Sequence, residues 1–136
     1  MATKKYWIKT SSRATKPKVP EATKQRVKQQ FDQMIETELK PRCIQPPPEH
    51  DFNYLVDIFS KWYRNYFYIC GTYNCPSPHA IAPSFEAKFC RFEYVGNDRF
   101  DVAYMRHTGQ FWEIAQGLTL DECLEEMRKN PILQPF

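Results

Sequence analysis

Glycine is scarce here: four residues in 136, at Gly71, Gly96, Gly109 and Gly117. Scattered singly, they cannot form the glycine-rich loop that cradles a phosphate through its backbone amides. There is no G-x-S-x-G elbow for a serine nucleophile and no H-E-x-x-H pair for zinc. No C-x-x-C pair occurs either. The five cysteines are odd in number and irregularly spaced, which fits reduced thiols in a cytoplasm better than a secreted disulfide framework. No apolar run approaches the roughly 20 residues that a bilayer-spanning helix needs. Tyr6-Trp7-Ile8 is broken at once by Lys9, so the start does not read as a signal peptide. These absences set aside the common nucleotide-binding, serine-hydrolase, metalloprotease, secreted and membrane-spanning classes.

What the chain does hold is aromatic residues and proline. Phe, Tyr and Trp make up 15% of the residues, enough for a packed core and a composition that favours strands. Charge is unevenly placed within a net +3. Nine of the 19 Lys and Arg lie in the first 30 residues, against the single acid Glu21. The rest of the chain is acidic on balance. Residues 10–20, "TSSRATKPKVP", are rich in Ser, Thr, Lys and Pro, so residues 1–19 read as a flexible basic arm and residues 20–136 as one domain. Such an arm on an acidic body suits a polyphosphate or an acidic protein partner.

Within the domain, Val27, Phe31, Met34, Ile35 and Leu39 recur at spacings that share one helical face, predicting a helix from Glu21 to Lys40 that Pro41 ends. A stiff connector follows, with three successive prolines at 46–48. Five strand patterns come next: 52–63, 66–73, 84–95, 99–107 and 110–114. Turns fall at Arg64-Asn65, Gly96-Asn97-Asp98 and Thr108-Gly109. In 84–95 the alternation sets Phe85, Ala87 and Phe89 opposite Cys90, Phe92 and Tyr94. Thr119 and Glu122 then spell a capping box before Leu120, Cys123, Leu124 and Met127. The expected fold is α+β: an N-terminal helix, a five-stranded antiparallel meander and a C-terminal helix, similar to cystatin-like architecture. The edges of a meander are open to a second copy, so a homodimer is compatible with this pattern.

Three sets of residues invite a functional reading. The first is Lys4, Lys5, Lys9, Arg13, Lys16 and Lys18 in the arm, as contacts to nucleic acid or an acidic partner. The second is Arg106 and His107, at the end of a strand beside a glycine turn. They suit contact with a partner or phosphate, or the lining of a small-molecule or enzymatic cavity. The third is Cys70, Cys75 and His79, a zinc-stabilised alternative whose spacing departs from the usual paired ligands. No sequence motif assembles a catalytic set or calls for a metal or cofactor.

The run R-F-x-V-x-Y-M-R-x-T-G-x-F-W at 99–112, together with "LTLDECLEEMRKNP" at 118–131, resembles small uncharacterised bacterial proteins classed as a domain of unknown function. That resemblance covers about residues 85–131 and implies a bacterial cytoplasmic setting. It brings no activity and no catalytic residues. The leading expectation is a non-catalytic interaction module.

Overall fold

The computed structural model describes residues 17–135. Helix α1, Glu21–Met34, begins after an extended Pro20 and carries Val27, Phe31 and Met34 into the core. With Ile35 and Leu39 they form a stripe no more than 2% exposed. The helix does not stop before Pro41, as its proline suggests it should. A π turn, Ile35–Leu39, leads into α2, Lys40–Cys43, so the coil runs through the proline. In a regular helix the Pro41 ring would collide with the carbonyl one turn back, and Pro41 offers no N–H. The wider turn makes room for the ring, with Lys40 N–H reaching back to the Ile35 carbonyl. The Thr37 hydroxyl also donates to the Gln33 carbonyl at 2.8 Å, a bond that bends helices.

The strands are β1 (Tyr54–Tyr63), β2 (Tyr66–Asn74), β3 (Ser84–Gly96), β4 (Arg99–Met105) and β5 (Phe111–Leu118). They form one antiparallel sheet in chain order, as the alternation and turns imply. Asn97 and Asp98 hold φ of 53° and 55°, the left-handed pair that a tight two-residue hairpin needs. Helix α3, Leu120–Lys129, starts on the expected capping box: Glu122 N–H donates to Thr119 Oγ1 at 3.2 Å, and Thr119 N–H donates to Glu122 Oε1 at 2.8 Å. A 3-10 turn, Pro131–Leu133, closes the described chain.

The face assignment along β3 needs correction. Ile69 pairs with Cys90 and Cys70 with Lys88, which leaves Phe89 as an extra residue with no opposite number. Such a bulge resets the alternation. Phe89 and Cys90, adjacent in sequence, are both buried in the same core cluster instead of facing opposite ways. Strand β5 also runs four residues past the expected Ile114, helped by Gly117, whose N–H donates to the Asp101 carboxylate at 3.0 Å.

Strand pairing puts Ile58, Ser60 and Trp62 of β1 on the same side as Phe67, Ile69 and Gly71, then Phe92 and Val102. Helix α1 covers this inner side. The Phe31 ring lies 5.2 Å from Phe67 and 4.9 Å from Phe92, and Trp62 Nε1 donates to the Lys24 carbonyl at 3.1 Å. Met127 of α3 reaches Cys90, sulfur to sulfur, at 3.7 Å. The two helical segments are joined by Arg128, whose guanidinium grips the Glu38 carboxylate with bonds of 3.0–3.2 Å. Glu38, unfavourable for the helix macrodipole, therefore has a tertiary partner.

No described helix covers the other side of the sheet. There the aromatic rings are roofed by cations: Arg91 lies 4.7 Å from the Tyr66 ring centre and 4.5 Å from Phe111, and Lys88 lies 5.3 Å from Tyr68. The aliphatic stems exclude water while the charged heads stay wet.

Candidate functional site

The meander sends its turns to two ends. Arg64-Asn65 and Asn97-Asp98 lie at one; the 75–83 loop and the 106–110 turn lie at the other. Each end carries a cleft, and each cleft holds part of what the sequence singled out.

At the first end, Pro17, Lys18, Val19, Lys24, Arg64 and Asn65 line a half-open cleft of about 430 Å³. Val19 is 4% exposed and anchors the entering chain in the core, which fixes where Lys18 emerges. Lys24 is held on the first turn of α1. Arg64 sits in the left-handed region with φ of 57°, and its guanidinium lies 5.2 Å from the Tyr63 ring centre. Asn65 is buried, its amide donating to the Tyr94 carbonyl at 3.4 Å, so the floor of the turn is fixed. Three cations line this cleft with no carboxylate among them. None of the three makes an ion pair among the described residues, whereas neighbouring Arg26 is paired with Asp98 at 3.3 Å.

The expected contacts Lys4, Lys5, Lys9, Arg13 and Lys16 lie outside the described residues. Lys18 is their exposed continuation. Lys24 and Arg64 complete its cleft although they were not singled out: Arg64 reads in sequence as a turn residue only. The signal that could have found it is register, because the β1–β2 turn returns to the start of α1.

At the second end, Asn53, Tyr73, Phe85, Ala87, Lys88, Phe89, Met105, Arg106 and His107 line a cleft of about 340 Å³. Arg106 and His107 are thus together, but at the opposite end of the sheet from Lys18, and the two clefts share no residue. Tyr73 and Phe85 stack at 5.3 Å with planes 11° apart, forming one wall. Burial raises the Tyr73 phenol above its ordinary value, and the nearby Cys43 thiol adds to the shift. At neutral pH it is a neutral hydrogen-bond donor. Gly71 lies beneath: a Cβ there would meet the Phe89 ring at 2.6 Å and Leu55 at 2.8 Å, so glycine is what lets Phe89 lie flat. His107 is exposed and has no hydrogen-bond partner among the described residues, so nothing orients it for proton transfer.

The cysteine and histidine set does not converge. Cys70 is buried within β2, while Cys75 and His79 lie in the following loop, where Cys75 N–H donates to the Pro83 carbonyl at 2.8 Å. Among the described residues no three His, Cys, Asp or Glu side chains are placed to hold a metal ion. All five cysteines are free. Burial raises the Cys70 thiol, an effect that Lys61 and Lys88 partly oppose. Burial also pushes Cys90 well up and Cys123 to about 12. These thiols stay protonated at neutral pH and are poor nucleophiles.

Comparison with known families places this geometry. The pattern described as a domain of unknown function, DUF3024, matches residues 19–134. The chain belongs to the DUF3024 family. The match takes in the whole Arg106 cleft and all of the Lys18 cleft except Pro17 and Lys18 themselves. Comparisons with curated proteins and with solved structures gave no match. No described helix is long and apolar enough to cross a membrane.

Proposed function

We propose that this DUF3024 protein is a non-catalytic interaction module of the cytoplasm that contacts nucleic acid through its phosphates. The observation that carries the reading is the carboxylate-free cleft of Lys18, Lys24 and Arg64, placed where the basic arm joins the body. Cations on fixed backbone, with no ion pair among the described residues, attract phosphate at little ordering cost, and the arm's Lys4, Lys5, Lys9, Arg13 and Lys16 extend the same charge. The protonated thiols and the unoriented His107 support a role without chemistry.

The test is the salt dependence of binding to a short DNA duplex, measured for the full chain and for a Lys18→Gln, Lys24→Gln, Arg64→Asn variant. Asn is chosen at position 64 because it tolerates positive φ. Each lost phosphate contact lowers the slope of log K against log salt by about 0.9. Weaker binding with a shallower slope is expected, at an unchanged melting temperature. An unchanged slope, or binding to an acidic peptide in place of DNA, overturns the reading.

A further inference from the structure

We infer that the cleft at the other end of the sheet binds a small amphipathic organic carboxylate, with a flat apolar body between Phe85 and Met105 and its anionic end on Arg106. The lining separates by chemistry. Tyr73, Phe85, Ala87, Phe89 and Met105 are apolar over most of their surface, Lys88, Arg106 and His107 are basic or able to become so, and no Asp or Glu is present. A volume of about 340 Å³ is at the small end of ligand sites, which begin at about 300 Å³.

Arg106 is set in place before any ligand arrives. Its N–H donates to the Gln110 carbonyl at 2.9 Å, and its carbonyl accepts from Gly109 N–H at 2.9 Å. Its guanidinium lies 4.6 Å from the centre of the Trp112 ring. A guanidinium stacked on a ring keeps its in-plane N–H groups available, and their fork matches a carboxylate's two oxygens. Arg106 has no ion pair among the described residues. Two other surface arginines, by contrast, are paired: Arg128 holds Glu38, and Arg26 holds Asp98. Lys88, whose ammonium lies 5.3 Å from the Tyr68 ring centre, is also without a carboxylate among the described residues.

One planar fork beside an apolar slot whose lining holds no carboxylate selects a ligand charged at one end only. A monocarboxylate on an aromatic or alicyclic frame has that form. This reading is independent of the nucleic-acid proposal, because the two clefts share no residue.

The probe is 1-naphthoate, titrated by calorimetry into the full chain, with 1-naphthylmethanol as a neutral control of the same shape. Saturable naphthoate binding is expected, with the alcohol weaker by about tenfold or more for want of the charged hydrogen bonds. Arg106→Gln is expected to lower naphthoate affinity about tenfold, and Arg106→Lys nearly as much because it keeps the charge but loses the fork. Lys88→Gln lowers it about two- to threefold through a more exposed charge. Melting temperatures of all three variants check that the fold is intact; Lys88 is exposed, so its variant remains informative if Arg106 proves structural. Equal binding of acid and alcohol, unchanged affinity in Arg106→Gln, or no saturation below about 1 mM overturns the inference. So does a parallel loss of naphthoate binding in the Lys18, Lys24, Arg64 variant, which would reveal nonspecific anion attraction.

Discussion

The two faces of the sheet exclude water by different means. The inner face is covered by elements of the fold: Phe67 and Phe92 are at most 1% exposed beneath Phe31 of α1, and Cys90 lies beneath α3. The outer face is covered by its own long side chains, with Arg91 and Lys88 lying across aromatic rings. Tyr68 and Cys70 are 9% and 1% exposed there, although no described helix lies above them. Burial therefore has two grades. A helix roof opens only when the protein unfolds; a lysine roof opens whenever a side chain changes rotamer.

The sharpest way to break this comparison is on the inner side. Phe31→Ala removes the ring on which Phe67 and Phe92 both rest, and a loss of about 3–5 kcal/mol is expected by urea denaturation. A loss below about 1 kcal/mol would mean that the helix cover is not what holds the face.

A second measurement probes the roof of the outer face. Replacing Lys61 and Lys88 with Ala costs little stability, about 0.5–1 kcal/mol for exposed cation contacts. It should nonetheless expose Cys70 to iodoacetamide under native conditions, read by intact mass, while Cys90 and Cys123 stay protected. Cys70 as unreactive as Cys90 in that variant would mean the two faces are sealed alike.

The smallest effect sharpens the inner side alone. Hydrogen bonds from Thr119, backbone first, hold the Glu122 carboxyl below its ordinary 4.5, and Arg99 adds to the shift. A carboxylate depressed in the fold contributes stability above its unfolded pKa and loses it as pH falls through the folded value. The melting temperature should therefore drop, as pH falls below about 4.5, by slightly more in the native chain than in Glu122→Gln. Identical curves would show that the capping box does not hold α3 down.

Much of the fold was legible because local signals agreed with one another. The capping box, the Gly96-Asn97-Asp98 turn and the stripe from Val27 to Leu39 each need only a few neighbouring residues, and each appears as read. What was not legible is where the chain resolves a conflict. Pro41 forbids a regular helix but not a π turn, and tertiary contacts, the packing of Leu39 and the Glu38–Arg128 and Lys40–Asp57 bridges, favour the latter. The alternation of β3 runs unbroken in sequence, and only pairing against Ile69 and Cys70 shows Phe89 to be extra. The candidate sites followed the same rule. Arg106 and His107 are neighbours and were read together, but Tyr73, Phe85 and Lys88 join them through strand register. Lys18 and Arg64 lie 46 positions apart, and nothing local links them.

The chain-order sheet has a consequence for the protein's birth. Each strand can pair with the one made just before it, which keeps loop closure short and zipping fast. The first helix is the exception. Phe31 leaves the ribosome about sixty residues ahead of Phe92, which at 5–20 residues per second is a wait of about 3–12 seconds. During that interval the apolar stripe from Val27 to Leu39 has no complete sheet to lie on. Newly made chains are therefore most open to aggregation and to chaperone capture at α1, before β3 has been translated.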